Sequence, residues 1–211
     1  MTPAHLLVLD LDETLLHASA TELDRAADFR ACGYHIYRRP HLAEFIAYAL
    51  ARFEVGVWTS SGRRYADAIV AELFPAQSLS FVWARERCSI TRDWTTGEYL
   101  SRKRLKKLKR RGYRLERIIA VDDTPTKHAY NYGNLIRVEE YLGRNDGDDE
   151  LLWLMRYLDR LSLEPNVRRI EKRRWRERPR QEMPGGDDSG PQPHRYAGIA
   201  IAAHAAPAES G

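Results

Sequence analysis

The chain has 211 residues, and its 43% of hydrophobic and 30% of charged residues are ordinary globular usage, which excludes collagen, coiled-coil and mucin-like classes. The formal net charge of +4 is unevenly spread, because residues 101–117 carry ten basic side chains and one acidic one, and residues 165–182 carry eight and three. The rest of residues 1–164 is net negative, which excludes a uniformly basic nucleic-acid-binding protein.

Three apolar runs rich in Leu, Val and Ile predict strands that are buried on both faces of a sheet. These runs are residues 6–10, 53–59 and 117–123. Apolar residues at a helical spacing predict helices over 41–53 and 63–74, and a third, basic helix is expected from Ser101 to Arg111, ending at Gly112. The alternation of strands and helices predicts an α/β fold with a parallel sheet.

Shorter elements lie between and after these segments. Residues 32–39 predict an extra strand, and residues 81–100 predict a small β-hairpin across the turn at 95–97. Residues 151–163 have the apolar spacing of a final amphipathic helix. We therefore expect residues 1–164 to form one domain.

Two further segments follow this domain. Residues 165–182 are expected to form a basic extension, with a helix as far as Pro179 as one interpretation. Residues 183–211 are expected to be a disordered tail, because their first part, rich in Gly, Pro and Asp, lacks core-forming side chains.

The cysteines and the first apolar run indicate the cellular environment. Cys32 and Cys88 have no spacing typical of a zinc site or a disulfide framework, so a reducing compartment is expected. The run from Leu6 to Leu11 is too short and too charged for a signal peptide or a membrane span. We expect a soluble, cytoplasmic protein without a membrane partner.

Polar side chains follow each of the three predicted strands. They are Asp10, Asp12, Glu13 and Thr14 after the first strand, Thr59, Ser60 and Ser61 after the second, and Asp122, Asp123 and Thr124 after the third. Because the carboxyl ends of parallel strands share one edge, these groups should meet in one crevice. Carboxylate oxygens without a His or Cys cluster favour Mg²⁺, and the lysines that begin at Lys103 would complete a phosphate pocket.

Simpler interpretations apply to each motif taken alone. A calcium loop at Asp10 would need Gly where Leu15 stands and Glu where Thr21 stands. Helix capping could explain Asp12 and Thr14, and a turn could explain residues 122–125. Their shared position at strand ends favours the functional interpretation.

Four motifs resemble those of the haloacid dehalogenase superfamily of aspartate-nucleophile phosphatases. They are Asp10-x-Asp12-x-Thr14, Thr59, Lys103 and Asp122-Asp123. The segments DLDETLLH, RRPHLAEF, VWTSS, RERCSI and VDDTP look like the branch of small phosphatases that act on the RNA polymerase C-terminal domain, and most like its bacterial members. The likeness runs from about Leu6 to Leu163 and implies a parallel sheet flanked by helices, with a small hairpin insert and no large cap domain.

The resemblance implies catalytic roles for two carboxylates. Asp10 would attack phosphorus and become an aspartyl-phosphate. Asp12 would protonate the leaving oxygen and then activate water.

The resemblance also implies the phosphate and metal ligands. Phosphate contacts are expected from Thr14, Thr59, Ser60 and Lys103. Mg²⁺ ligands are expected from Asp10, the main-chain carbonyl of Asp12, and the pair Asp122 and Asp123, of which the direct ligand stays open.

The motif lysine has an alternative. Counting back from Gly112 in the bacterial pattern selects Lys103, whereas an ungapped match to the eukaryotic small phosphatases selects Lys106. Lys103 is preferred because Leu105 and Leu108 then align without a gap.

The resulting hypothesis is a Mg²⁺-dependent phosphomonoester hydrolase that acts on phosphoserine or phosphothreonine in an exposed protein segment. A hairpin-sized insert would leave the crevice open to a macromolecule. One alternative is a nucleic-acid end phosphatase that uses the basic region and tail. Another is a catalytically silent binding module of the same fold.

Overall fold

The computed structural model describes residues 5–144 and 147–176. The described strands are β1 (Leu6–Leu9), β2 (Leu16–Ser19), β3 (Phe29–Ala31), β4 (Tyr34–Arg38), β5 (Glu54–Trp58), β6 (Phe81–Trp83), β7 (Ser89–Arg92), β8 (Tyr99–Arg102), β9 (Ile118–Asp122) and β10 (Leu135–Arg137). The α-helices are α1 (Leu42–Arg52), α2 (Arg63–Leu73) and α3 (Glu150–Leu161). No helix in the described ranges is long and apolar enough to cross a membrane.

A five-stranded parallel sheet in the order β10-β9-β1-β5-β6 forms the centre of the molecule. Leu6 of β1 is in register with Ile118 of β9 on one side and with Glu54 of β5 on the other. The three strands predicted from the apolar runs are therefore confirmed, and the α/β fold with them. Their carboxyl ends lie along one edge of the sheet.

Alternate residues of β1 pack into two different apolar clusters, which explains its continuous apolar run. Leu7 and Leu9 belong to the cluster that contains α1, α2 and α3. Leu6 and Val8 belong to the opposite cluster, with Trp58 and residues of the basic region. A strand covered on both faces needs apolar side chains at every position.

The predicted basic helix over residues 101–111 is wrong at its start and in its type. Ser101 belongs to β8, and the helical segment is a 3₁₀ helix, Leu105–Arg111. Leu105 and Leu108 are its buried residues, and a three-residue period places both on one side. Lys103 therefore lies in the extended connection before the helix.

The predicted hairpin is confirmed only in its second half. β7 and β8 pair in antiparallel fashion across the turn after Asp93. Phe81–Trp83 instead forms β6, the edge strand beside β5. Gly56 of β5 permits this packing, because a Cβ there would lie 2.4 Å from the ring of Phe81.

The extra strand predicted over 32–39 is observed as β4, but it belongs to a three-stranded antiparallel sheet in the order β2-β4-β3. The short, half-exposed strands β2 and β3 had no clear sequence pattern.

The chain after α3 differs from the predicted basic helix. In the described residues after 164, the only regular element is a 3₁₀ turn, Val167–Arg169. Val167 and Trp175 are buried in the large apolar cluster, and Nε1 of Trp175 donates to the carbonyl of Arg137 at 2.6 Å. Burial of these apolar side chains holds the segment against the sheet. The division of the chain at residue 164 stays a prediction, and the tail 183–211 lies outside the described residues.

Candidate active site

Three carboxylates meet at the carboxyl edge of the sheet. Asp10 directly follows β1, Asp122 ends β9, and Asp123 comes next in the chain. Oxygens of the three groups lie within 4.8 Å of one another, and both Asp10 and Asp122 are buried. Parallel pairing positions them, since the N–H of Asp10 donates to the carbonyl of Val121 at 3.0 Å and continues the ladder.

Lys103 is buried against two of these carboxylates. Its Nζ lies 2.7 Å from Oδ2 of Asp10 and 2.6 Å from Oδ2 of Asp122. Its side chain is 1% exposed, whereas Lys106 is an exposed residue of the following 3₁₀ helix. The geometry favours Lys103 over Lys106 as the motif lysine.

The two buried carboxylates differ in their pKa values. Burial and the neighbouring charge of Asp122 raise the pKa of Asp10, against the opposing effect of Lys103. Burial acts in the same direction on Asp122, but Lys103 and a hydrogen bond from His128 together hold its pKa well below the usual value. Asp122 is thus the carboxylate that remains ionised most firmly.

The side chain of Asp12 is not part of the carboxylate cluster. Its Oδ1 accepts a hydrogen bond of 2.5 Å from the hydroxyl of Tyr65. Its Oδ2 accepts one of 2.7 Å from Ser61 and a longer one of 3.4 Å from Thr59. Residues after β5 and on α2 therefore orient Asp12, and its predicted metal contact is through the main chain.

The hydroxyls of Thr14 and Ser60, two of the predicted phosphate contacts, have protein neighbours in the structure. The hydroxyl of Thr14 donates to Oδ1 of Asp123 at 3.2 Å and accepts from the main-chain N–H of Asp123 at 3.1 Å. Thr14 therefore orients the carboxylate of Asp123, and its contact with phosphate stays a prediction. The Ser60 hydroxyl lies 3.9 Å from the sulfur of Cys88, on the side of the hairpin, and Ser61 takes the place beside Asp12.

Sequence reasoning missed Lys127 and the contact made by His128. Nζ of Lys127 lies 2.9 Å from Oδ2 of Asp10, and Nε2 of His128 lies 3.1 Å from Oδ2 of Asp122. Both residues belong to the 3₁₀ turn Pro125–His128, which follows β9. Pro125 was the available signal, because proline is favoured at the first position of a helical turn.

The donor set fits Mg²⁺. Carboxylate oxygens from Asp10, Asp122 and Asp123 are hard ligands, and no His or Cys takes part in the cluster that the described residues form. Thr14 and the main-chain N–H of Thr124 each donate to one of these carboxylates and fix their orientation.

The parallel sheet, the aspartate after its central strand, the buried lysine and the carboxylate pair at the neighbouring strand agree with the motif resemblance to the haloacid dehalogenase superfamily. Residues 5–168 match the family model of NLI interacting factor-like phosphatases, and the chain belongs to this family. The resemblance drawn from the motifs is confirmed.

Curated relatives agree with this family, and a solved structure has a similar fold. The chain is 32% identical over 184 residues to CTD small phosphatase-like protein 3 of Caenorhabditis elegans, covering 83% of this chain and 61% of the worm protein. It is 29% identical over 166 residues to the human carboxy-terminal domain RNA polymerase II polypeptide A small phosphatase 1, covering 74% of this chain and 59% of that protein. An uncharacterized protein from Listeria monocytogenes serotype 4b has a similar fold, with a TM-score of 0.51 and 12% identity over 74% of this chain and 98% of that one.

The chain is shorter than the curated relatives that it matches. It spans 29%, 61% and 56% of the length of three of them. The likeness therefore covers only part of the length of each of these relatives.

Proposed function

We propose that the protein is a Mg²⁺-dependent phosphomonoester hydrolase that works through an aspartyl-phosphate on Asp10. The observation that carries this proposal is the buried Asp10 carboxylate, which lies 2.7 Å from Nζ of Lys103 at the carboxyl edge of the sheet. A nucleophilic carboxylate next to a fixed positive charge is suited to attack on a phosphoryl group, whose developing charge the lysine offsets.

The reaction has two displacements. In the first, a carboxylate oxygen of Asp10 forms a bond to phosphorus, the ester bond breaks, and the leaving oxygen takes a proton from Asp12. In the second, water attacks the same phosphorus, its proton goes to Asp12, and the Asp10 carboxylate is released. Lys103 and the Thr59 hydroxyl would contact the phosphoryl oxygens. A bound Mg²⁺, held by Asp10, Asp122 and Asp123, would neutralise phosphate charge.

The orientation of Asp12 supports its role as the acid and base. Hydroxyls of Tyr65 and Ser61 hold the carboxyl group on both oxygens. A carboxyl that must transfer a proton in both steps needs this fixed geometry. Because Asp10 and Asp12 are both present and ordered by neighbours, an active enzyme is favoured over the silent binding module.

The preferred substrate class is a phosphoserine or phosphothreonine in an exposed protein segment. The relatives named as C-terminal-domain phosphatases support a protein substrate. The insert between β6 and the 3₁₀ helix Leu105–Arg111 consists of a 3₁₀ turn, Arg85–Arg87, and the β7–β8 hairpin. An insert of this size leaves the crevice open to a macromolecule.

A nucleic-acid end phosphatase is the second candidate. Trp94 is 88% exposed on the hairpin with the guanidinium of Arg92 over its ring, and Arg104 lies over the ring of Tyr130. Exposed aromatic rings next to arginines can stack bases and contact phosphates. A comparison of phosphopeptide and 5′-phosphorylated oligonucleotide turnover over a salt series separates the two candidates.

The primary test is hydrolysis of p-nitrophenyl phosphate with MgCl₂. We expect turnover by the wild type, loss of turnover in EDTA, and loss to the background rate in Asp10→Asn. Asp24→Asn, which removes an exposed carboxylate elsewhere, is the matched control and should keep wild-type activity. Turnover by folded Asp10→Asn at the wild-type rate would refute the proposed nucleophile.

A further inference from the structure

The side chain of Lys127 lies among the three carboxylates that would hold Mg²⁺. Its Nζ is 2.9 Å from Oδ2 of Asp10, 3.6 Å from Oδ1 of Asp122 and 4.0 Å from Oδ1 of Asp123. These are the residues whose carboxylate oxygens cluster within 4.8 Å of one another. A positively charged side chain is therefore positioned against the carboxylates that a divalent cation requires.

A main-chain hydrogen bond joins Lys127 to the other lysine of the site. The N–H of Lys103 donates to the carbonyl of Lys127 at 2.8 Å, and both ammonium groups reach Oδ2 of Asp10. The two lysines differ in burial, because the side chain of Lys103 is 1% exposed and that of Lys127 is 19% exposed. Lys127 is thus the more exposed of the two lysines that contact Asp10.

Two cations that share one set of carboxylate oxygens repel each other, most strongly where burial reduces dielectric screening. We propose that Lys127 competes with Mg²⁺ for Asp10, Asp122 and Asp123 and thereby lowers the metal affinity of the site. Metal binding then moves the Lys127 ammonium toward solvent, while the enclosed Lys103 stays in place. This inference rests on the metal site of the proposed function and adds to it a residue that opposes metal loading.

Competition and a purely structural role predict opposite effects of removing the Lys127 charge. If Lys127 competes, its removal leaves the three carboxylates with more uncompensated negative charge, and the site binds a divalent cation more tightly. If Lys127 only holds the loop after β9 in place, its removal loosens the carboxylates and weakens metal binding. The sign of the change in Mg²⁺ affinity therefore distinguishes the two roles.

The test is isothermal titration calorimetry of the full chain with MgCl₂ alone, without substrate. Lys127→Met is compared with the wild type and with Lys106→Met, which removes the same charge from an exposed side chain. We expect Lys127→Met to bind Mg²⁺ at least about tenfold more tightly than the wild type, and Lys106→Met to bind as the wild type does. Mg²⁺ should also raise the melting temperature of Lys127→Met by more than it raises that of the wild type.

If the wild type binds Mg²⁺ and folded Lys127→Met binds it equally well or more weakly, the inference about Lys127 is overturned. The proposed metal site is not affected by that result. If neither protein binds Mg²⁺, the metal site and the inference both fail. Should Lys127→Met not fold in metal-free buffer, Lys127→Gln, which keeps a polar side chain, is titrated in its place with the same expectation and the same contradicting result.

Discussion

Arg39 and Asp148 form a buried ion pair that connects the start of α1 with the segment before α3. Nη2 of Arg39 lies 2.8 Å from Oδ2 of Asp148, and Nη1 donates to the carbonyl of Thr14 at 3.0 Å. The side chains of Arg39 and Asp148 are 0% and 9% exposed. Because Thr14 orients Asp123, this pair links the helical layer to the carboxylate cluster.

Breaking this pair should destabilise the fold. Arg39→Met would leave Asp148 and the carbonyl of Thr14 without their buried donor, and we expect a loss of about 3 kcal/mol in the free energy of unfolding. Arg30→Met, at an exposed arginine, should change it by less than about 0.5 kcal/mol. Urea denaturation measures both, and equal stability of the two variants would contradict the assigned role of Arg39.

Tyr65 should affect catalysis without affecting the fold. Tyr65→Phe removes the hydroxyl that donates to Asp12, and we expect kcat to fall by about tenfold because the carboxyl loses one of its orienting contacts. Tyr99→Phe, at a hairpin residue that is 75% exposed, is the control. Steady-state kinetics measure kcat, and circular dichroism checks that the variant is folded. A wild-type kcat in folded Tyr65→Phe would contradict the role given to this contact.

The segment after α3 should be needed for stability. Trp175 is 6% exposed and packs beside Tyr157 with a ring separation of 5.7 Å. We expect Trp175→Ala to lower the free energy of unfolding by about 3 kcal/mol, in the range of other large-to-small substitutions in cores. Trp94→Ala, which truncates an 88% exposed ring, should have little effect on chemical denaturation. Equal denaturation midpoints for Trp175→Ala and Trp94→Ala would mean that the segment after α3 does not pack as described.

His5 should make stability depend on pH. Burial and the nearby Arg117 lower the pKa of His5, so the folded state favours the neutral imidazole. The contribution of neutral His5 to the free energy of unfolding is therefore present above the pKa that histidine has in the unfolded chain, about 6.5. This contribution is lost as the pH falls below that value. We expect the free energy of unfolding to drop between pH 7 and pH 5, and to drop by less in His5→Gln. His35→Gln is the control, and an identical pH profile of His5→Gln and wild type would contradict the assignment.

The sequence predicted the parts of this protein that local pattern determines. β1, β5 and β9 were found because strands covered on both faces are apolar at every position, and their order placed Asp10 and Asp122 on one edge. β6 was assigned to the hairpin because three residues have no periodicity of their own, and its pairing with β5 beside Gly56 is a tertiary contact.

The side chains that complete the site depend on tertiary contacts. Ser61 and Tyr65 reach Asp12 only because α2 starts directly after β5, and Lys127 reaches Asp10 only because a 3₁₀ turn follows β9. The hydrogen bond from Thr14 to Asp123 likewise joins residues that are far apart in the sequence. The spacing of residues along the sequence does not predict these contacts.

The most direct test of the central claim is chemical trapping of the phosphorylated residue. Asp12→Asn is mixed with p-nitrophenyl phosphate and MgCl₂, quenched with borohydride and mapped by mass spectrometry. The p-nitrophenolate group leaves without an acid, whereas water still needs a base, so the aspartyl-phosphate should accumulate in this variant. We predict homoserine at position 10, the product of reducing an aspartyl-phosphate. Reduction at a different residue, or an unmodified Asp10 after a burst of p-nitrophenol, would contradict the account.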